Sequence, residues 1–396
     1  MTTRGITRRR MLGAIGAGAA AMAGCRKRGA SGGEGRVKVG LVIPQAGVYA
    51  PLGTDMKRGW DLWLALHGGR LGQREVTTVV ADEGESPQTG VPAVQKLLQG
   101  DEVDLLVGVV SSAVALGCQD LVKEAKKLLV VANAGAGAIT GSARSPYIWR
   151  TSFSNAQISS VMGVHLAQAG GTGPVYLIAP DYAAGAEVLA GFRASFTAGG
   201  GAIAGEAKPA FGKTHDYQPY LTGIRESGAK AVFCFFSGGE AVSFVKQYAQ
   251  FGLAGRIPLY GSGFLTEGTQ LDAQGDACVG IQTTLHYSTE LDIPANRELV
   301  AAYREAYGAA PTVFSVQAWD AAAVLDRALA ASTGVDGDSL AAALGGLGTI
   351  EDSPRGAWRF DGQSPKQKVY LRVVEKRGGA YVNAVTRDLG TFGQPA

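Results

Sequence analysis

Short apolar segments alternate with amphipathic ones along most of this 396-residue chain, and that alternation constrains the fold more than any other feature. Continuous apolar runs at residues 37–43, 104–110 and 128–132 predict buried strands, with helices expected between them. Strands that are apolar on both faces and separated by helices form parallel sheets covered on both sides. The pattern therefore predicts an α/β fold.

The alternation restarts near residue 155, which predicts a second unit of the same kind. Its strands are expected at 174–179, 202–205, 229–236, 257–260 and 279–285. Each parallel pair needs a right-handed crossover, so both units are expected to be doubly wound parallel sheets. The tail is different, because glycine turns separate short apolar runs that predict antiparallel strands at 357–360, 368–374 and 380–384.

The charge of the chain is unevenly distributed. Its formal net charge is +3, from 37 Lys+Arg and 34 Asp+Glu. Residues 1–33 hold seven of the basic residues and no acid, which leaves 30 basic and 34 acidic residues, a net −4, in the remainder. A body without a basic excess is not expected to bind nucleic acid. With 46% hydrophobic residues, it is expected to bury a core rather than to be disordered.

The basic leader is typical of an export signal. Arg8 and Arg9 precede an apolar run at 11–24, which is too short to span a bilayer of ~30 Å. The arginine pair resembles a twin-arginine signal, and Met22-Ala23-Gly24-Cys25 resembles a lipoprotein lipobox. We expect residues 1–25 to be a signal peptide, Cys25 to carry the lipid anchor, and 26–36 to be a tether. An ordinary secretory leader with a chance cysteine is the alternative.

The remaining cysteines and the histidines do not form a site. Cys234 lies in an apolar run and is expected to be a core side chain. For Cys118 and Cys278, the sequence leaves both a free thiol and a disulfide possible. The four histidines lack metal-ligand spacing, and neither a nucleophile elbow nor a Walker motif is present. The chain is therefore not expected to be an enzyme, and no metal or cofactor is expected.

Ligands of such sheets bind beyond the carboxyl ends of the strands, so the loops that follow the expected strands deserve inspection. These loops are rich in Gly, Ser and Tyr, which supply backbone amides and hydroxyl donors. They lie at 44–53, 111–112, 133–136, 181–185, 237–240 and 261–264.

The chain resembles the type I periplasmic substrate-binding proteins of ABC importers, the leucine/isoleucine/valine-binding family. The resemblance covers nearly all of residues 37–385, and it rests on Gly47-Val48-Tyr49 with Gly53, and on the segments 108–112, 181–185 and 315–321. It implies two lobes joined by a hinge that the chain crosses three times. One lobe would take 37–155 and 288–350, and the other 156–287 and 351–396.

The resemblance also implies a ligand site. Ser111 and Ser112 would hold a ligand carboxylate, although a helix N-cap is the alternative role for these serines. Asn133 and Ala134 belong to the loop that would complete this part of the site.

The remaining implied contacts come from both lobes. Tyr49 and Tyr182 would form aromatic walls from opposite sides, with a surface or hinge tyrosine as the alternative. Ser237, Gly261 and Ser262 match the contribution of the second lobe.

One position departs from the family pattern. Amino-acid binders hold the ligand ammonium with an acid where this chain has Gly263, and the next acid is Glu267. Asp181 and Glu240 are nearby candidates, but acids at a helix N-terminus also stabilise the helix itself. Two classes of ligand stay open: an α-amino acid, and an aromatic or aliphatic carboxylate or a related amide. Neighbouring phenylalanines such as Phe235 suit an aromatic acid, or belong to the core.

The expected function follows from these features. An exported protein, lipid-anchored in the periplasm or on the outer face of the cytoplasmic membrane, would deliver a small carboxylate-bearing ligand to an ABC permease. The alternative is a ligand-sensing receptor that uses the same pair of lobes.

Overall fold

The computed structural model describes residues 35–395 and contains two separate sheets. The strands are β1 (Arg36–Ile43), β2 (Arg70–Leu71), β3 (Arg74–Asp82), β4 (Leu105–Gly108), β5 (Leu128–Val131), β6 (Ile148–Arg150), β7 (Val175–Ile178), β8 (Ile203–Ala207), β9 (Ala231–Cys234), β10 (Leu259–Ser262), β11 (Gln282–Leu285), β12 (Thr349–Ile350), β13 (Trp358–Asp361), β14 (Ser364–Arg377) and β15 (Ala380–Phe392). The helices are α1 (Ala50–Leu66), α2 (Pro87–Gln99), α3 (Ser112–Gly117), α4 (Gln119–Ala125), α5 (Asn155–Ala169), α6 (Ala183–Ala198), α7 (Gln218–Glu226), α8 (Gly238–Gln250), α9 (Thr269–Gln274), α10 (Pro294–Tyr307), α11 (Val313–Ala331) and α12 (Gly337–Gly345).

The order of the strands confirms the α/β fold with two lobes. The first sheet has the order β2-β3-β1-β4-β5-β6 and is parallel apart from β2. The second has the order β12-β13-β14-β11-β10-β9-β7-β8, with β15 beside β14. Strands β7 to β11 are parallel, and the tail strands add antiparallel pairs to the edge at β11, as their glycine turns predicted.

Helices α1 and α11 pack closely beside the first sheet. A Cβ on Gly59 of α1 would lie 2.0 Å from the carbonyl oxygen of Ser315 in α11, so only glycine permits this approach. Trp60 is fully buried next to it, and its indole Nε1 donates to Thr78 Oγ1 of β3 at 2.9 Å. The glycine and the tryptophan together fix α1, which begins directly after Tyr49.

Several boundaries differ from the sequence prediction. Strand β4 ends at Gly108 instead of residue 110, because Gly108 (φ +126°) and Val109 (φ +67°) both leave the extended region. A Cβ on Gly108 would lie 2.0 Å from Val42 O, which explains the glycine. The segment after β4 forms two short helices, α3 and α4, which are separated at Cys118, after the poor helix former Gly117. The short strands β2 and β6 have too few residues for a pattern to predict them.

The leader and the cysteines complete this comparison. The expected signal peptide, the lipidated Cys25 and the tether up to residue 34 lie outside the described residues, and β1 already begins at Arg36. Cys234 is a fully buried core side chain, as predicted, and Cys118 and Cys278 are buried and free, so neither forms a disulfide here. Among the described helices, none combines the length and apolar character that crossing a bilayer requires.

A buried ion pair ties together the segments that run between the sheets. Arg355 Nε lies 2.9 Å from Asp320 Oδ2 of α11, and both side chains are 1% exposed. Its Nη1 donates to the carbonyl of Ser152, just after β6, and to Gln367 Oε1 of β14, at 3.2 and 2.7 Å. The guanidinium also lies over the ring of Trp358. Burial raises the pKa of Asp320 to about 6 and lowers the pKa of Arg355 to about 10.

Replacing Arg355 with alanine should lower the free energy of unfolding by about 3–5 kcal/mol, since Asp320 would remain buried without a counter-charge. Urea unfolding monitored by circular dichroism measures this. Arg327→Ala is the matched control, because Arg327 pairs with the 68%-exposed Asp352 and should contribute only about 0–1 kcal/mol. Equal losses in the two variants would contradict a structural role for the buried pair.

Candidate functional site

The carboxyl ends of the parallel strands in the two sheets face each other across a narrow cavity. The cavity has a volume of about 40 Å³. The lining comes from both sheets and from α11 and contains aromatic, hydroxyl and amide side chains. It consists of Tyr49, Leu52, Val110, Ser111, Ser112, Asn133, Gly135, Phe153, Asn155, Tyr182, Ala184, Phe235, Ser237, Phe264 and Phe314.

The turn after β4 is held by a buried carboxylate. Glu83, which is 0% exposed, accepts the backbone amides of Val110 and Ser111 at 2.7 and 2.9 Å. Burial raises the pKa of this carboxyl to about 8, although the two amide hydrogen bonds oppose the shift. The Ser111 amide is therefore engaged by Glu83 and is not free to bind a ligand.

Both serine hydroxyls of the turn already act as acceptors. Ser111 Oγ caps α3 by accepting the amide of Val114 at 3.4 Å, so the N-cap role suggested by the sequence is present. Ser112 Oγ accepts the amide of Ala136 at 3.0 Å. Each hydroxyl keeps its own proton, so the two serines can donate into the cavity while they stabilise the turn.

Two asparagines lie on the same side of the cavity and are oriented by neighbouring side chains. The amide of Asn133 hydrogen-bonds that of Gln317 at 2.7 Å, and Asn155 Nδ2 donates to Glu187 Oε2 at 2.9 Å. Gly135 lies between them, and a Cβ there would be 2.3 Å from Asn155 Oδ1. Their terminal atoms are thus held in place around the end of β5.

Two tyrosines from opposite sheets meet at one edge of the cavity. The hydroxyls of Tyr49 and Tyr182 are 3.1 Å apart and form a hydrogen bond. The ring of Tyr182 stacks on Phe211 at 4.3 Å and lies nearly parallel to Phe235 at 6.2 Å. Burial raises the pKa of both tyrosines, so both hydroxyls stay protonated.

Phenylalanines close the other sides. The ring centroid of Phe264 lies 4.6 Å from that of Phe153 and 6.0 Å from that of Phe314. Phe235 meets Phe264 edge to face, with the two ring centroids 6.4 Å apart. All four belong to the hydrophobic core cluster that runs through both sheets. The cavity is therefore a gap in the core, and its apolar walls are positioned by ordinary packing.

Besides the hydroxyl of Tyr182, the second sheet adds the polar side chain of Ser237 and no charge to the lining. Ser237 is 9% exposed, and within residues 35–395 its buried Oγ has no hydrogen-bond partner. None of the three acids considered from the sequence lines the cavity. Glu267 pairs with Arg372 at 2.9 Å, Glu240 accepts the amide of Gly212 at 2.9 Å, and Asp181 is exposed.

Residues 36–380 match the family profile of the periplasmic binding proteins. The chain belongs to that family.

Relatives resemble this periplasmic binding protein along nearly their whole length. The Leu/Ile/Val-binding protein homolog 6 of Brucella melitensis is 32% identical over 368 residues, which are 91% of this chain and 93% of the relative. An ABC-transporter solute-binding protein of R. palustris, solved in complex with benzoate, is 38% identical with a TM-score of 0.83, and the match covers 90% of this chain and 97% of that one. A solute-binding protein of an ABC transporter from Rhodopseudomonas palustris BisB5, solved in complex with 3,4-dihydroxybenzoic acid, is 33% identical with a TM-score of 0.86. The match covers 91% of this chain and 99% of that one.

The structure of this periplasmic binding protein brings most of the predicted site residues together. The lining includes Tyr49, Ser111, Ser112, Asn133, Tyr182 and Ser237. Ala134, Gly261 and Ser262 lie outside it. The amide of Ala134 donates to Val109 O at 2.9 Å, and β10 extends through Ser262 instead of ending at residue 260, so Gly261 and Ser262 are strand residues.

Three lining residues were missed by the sequence analysis. Phe153 and Asn155 follow β6, a strand of three residues, and a recognised strand there would have directed attention to the loop after it. Phe314 lies in the first turn of α11, where nothing in the sequence distinguishes it from a core residue.

A wider groove of about 580 Å³ lies on the outer side of α1, α10 and α11, lined in part by Trp63, His67 and Trp319. None of its lining residues belongs to the turns that follow the parallel strands. We therefore place the candidate site in the smaller cavity between the sheets.

The buried Glu83 predicts a pH dependence of stability. Because its pKa is raised from 4.5 to about 8, the folded protein holds this proton more tightly than the unfolded chain. Its contribution to stability should be complete below pH 4.5 and should be lost as the pH rises through about 8. Urea unfolding between pH 5 and 9 measures the effect. Glu83→Gln should flatten the profile and Glu75→Gln, at an exposed position, should not; a profile unaltered by Glu83→Gln would contradict the assignment.

Proposed function

We propose that this chain is the extracytoplasmic solute-binding protein of an ABC importer and that its ligand is a small aromatic carboxylate. The proposal rests on a single observation: the cavity between the lobes is lined by aromatic rings, hydroxyls and amides, with no charged side chain among its lining residues. The related proteins solved with benzoate and 3,4-dihydroxybenzoic acid support the same class of ligand.

The absence of an acid from the lining argues against an α-amino acid. A carboxylate in this cavity can accept hydrogen bonds from hydroxyl and amide donors, whereas an ammonium group would lose its hydration and find no acidic side chain among the lining residues to pair with. Glu267, the acid nearest in sequence to the expected position, is already neutralised by Arg372. The cavity therefore suits a ligand without an ammonium group.

The aromatic walls favour a flat ring over an aliphatic chain. Tyr182 and Phe235 present nearly parallel faces, and Phe264 presents an edge to Phe235. A benzene ring next to these side chains gains stacked and edge-to-face contacts worth about 0.5–1.5 kcal/mol each beyond the burial of its area.

The polar groups are placed to hold a carboxylate at one end of such a ring. Ser111 and Ser112 each keep a hydroxyl proton to donate, and hydrogen bonds to an ionised group contribute about 1.5–3 kcal/mol. Ser237, on the second lobe, has an unpartnered buried Oγ and would accept or donate to a second polar group, such as a ring hydroxyl.

Ligand binding would be coupled to lobe closure. Tyr49 and Tyr182, which follow strands of different sheets, touch only when the two lobes approach, so their 3.1 Å hydrogen bond belongs to a closed form. A ligand that contacts Ser111 and Ser237 together would favour this form by its differential affinity for it. The closed form would then dock on the permease.

We further propose that cleavage of a twin-arginine signal peptide after Gly24 leaves Cys25 as the N-terminus and that Cys25 carries a lipid anchor. The lipobox and the arginine pair support this proposal. The lobe limits implied by the family, at 155/156, 287/288 and 350/351, are part of the same proposal.

Calorimetric titration of the leaderless protein with benzoate, 4-hydroxybenzoate and leucine tests the ligand class. We expect the aromatic acids to bind and leucine not to bind. Thermal unfolding should report the same preference, because a ligand at 100 times its Kd stabilises the folded state by about 2.7 kcal/mol. Binding of leucine, with none of the aromatic acids bound, would overturn the proposed ligand.

Replacing Ser111 and Ser112 with alanine should weaken benzoate binding by about tenfold or more per serine, from the loss of one charge-assisted hydrogen bond each. Ser160→Ala is the matched control, since that hydroxyl bonds only the carbonyl of Gln157 within its own helix. Ser237→Ala should reduce the affinity for 4-hydroxybenzoate more than that for benzoate. Unchanged benzoate affinity in the Ser111 and Ser112 variants would remove these serines from the site.

Mass spectrometry of the protein isolated from membranes tests the anchor. A diacylglyceryl group on an N-terminal Cys25 is expected, and Cys25→Ala should release the protein from the membrane fraction. A mature chain that begins elsewhere with a free thiol at Cys25 would refute lipidation.

A further inference from the structure

A chain of three buried polar side chains runs from the cavity to the end of β11, a strand of the second sheet. The amides of Asn133 and Gln317 are joined by a 2.7 Å contact between Nδ2 and Oε1, and Gln317 Nε2 lies 3.3 Å from His286 Nε2. Asn133 lines the cavity and is 6% exposed, whereas Gln317 and His286 are 0% exposed. His286 directly follows β11, and Gln317 belongs to α11, so the chain of contacts links the two lobes.

This chain can run in either of two directions, because a side-chain amide carries a donor and an acceptor at equivalent positions. In the first direction, Asn133 Nδ2 donates to Gln317, and Gln317 Nε2 donates to the lone pair on His286 Nε2. The imidazole proton then lies on Nδ1, and Asn133 turns its Oδ1 to the cavity. If His286 donates from Nε2, then Gln317 donates to Asn133, and Asn133 turns its Nδ2 to the cavity. The tautomer of one imidazole therefore decides whether the cavity meets an acceptor or a donor.

The surroundings of His286 favour the second direction. Its Nδ1 is buried and has no hydrogen-bond partner among residues 35–395. Burial and the nearby guanidiniums of Arg355 and Arg372 lower the pKa of His286 well below its usual value, so the imidazole is neutral and has a single proton. A proton on Nδ1 would be a buried donor without an acceptor in a positive field. A lone pair on Nδ1 is less costly there, and the proton on Nε2 is used by Gln317.

We propose that His286, as the Nε2–H tautomer, orients Gln317 and through it Asn133, so that Asn133 Nδ2 donates a hydrogen bond to the carboxylate of the bound ligand. This inference rests on the proposed function. His286 and Gln317 are positioning residues, and Asn133 is the contact. With the hydroxyls of Ser111 and Ser112, the amide of Asn133 then offers three hydrogen-bond donors to an ionised carboxylate at this end of the cavity.

The tautomer can be measured without any variant. Long-range proton–nitrogen NMR of the leaderless protein with ¹⁵N-labelled histidine distinguishes a protonated ring nitrogen from an unprotonated one. We expect His286 to show a protonated Nε2 and an unprotonated Nδ1 at neutral pH. Its signals are assigned by their loss in His286→Gln. A proton on Nδ1 would overturn the proposed direction.

A second measurement tests whether the direction of the hydrogen bonds between His286, Gln317 and Asn133 affects ligand binding. Gln317→Glu places a group that only accepts between His286 and Asn133, so Asn133 would turn Nδ2 toward it and present Oδ1 to the cavity. Benzoate affinity should fall by about tenfold or more, the effect of losing one hydrogen bond to a charged group. Gln95→Glu, which adds the same charge on the exposed face of α2, is the matched control and should bind normally.

The outcomes separate the two proposals. Native protein that binds neither benzoate nor 4-hydroxybenzoate would contradict the proposed function. Native protein that binds them, with Gln317→Glu folded and equal in affinity, would contradict the role of Gln317 alone. A circular dichroism spectrum of each variant establishes that it is folded, and the NMR measurement on the native protein decides the tautomer if Gln317→Glu does not fold.

Discussion

Parallel strands all end at the same edge of their sheet, and the site depends on two such edges facing each other. The loops after β1, β4 and β5 supply Tyr49, the serine turn and Asn133, and those after β7 and β9 supply Tyr182 and Ser237. Each loop is anchored by a strand that is buried on both faces, so the site residues are held by the cores of both lobes. The cavity is what remains where the two cores meet.

The ionisable groups of this region are buried around the cavity and not within it. Glu83 is bonded to the amides of the serine turn, Arg372 pairs with Glu267, and Arg355 pairs with Asp320. These contacts shape the turns and the junction between the lobes. The cavity is left with neutral donors and aromatic faces, which recognise a ligand by the direction of hydrogen bonds and by its shape.

The sequence predicted the fold well because alternation of buried strands and helices has few solutions. It predicted two units of alternating strands and helices, and it predicted the antiparallel tail from glycine turns. It missed β6 because three residues carry no period, and Phe153 and Asn155 were missed with it. It placed Gly261 and Ser262 in a loop because hydrogen bonding, which extends β10 to Ser262, is not visible in side-chain polarity.

The sequence by itself determined the class of fold, the family and most of the polar residues at the strand ends, since these follow from local patterns of hydrophobicity and from turn residues. Only the tertiary structure decided that Glu83 occupies the amides of the serine turn, that Glu267 is neutralised by Arg372, and that His286 reaches Asn133 through Gln317. Each of these contacts joins residues that are distant in sequence. Their energies depend on burial and on the direction of individual hydrogen bonds, and both are set only when the two lobes pack.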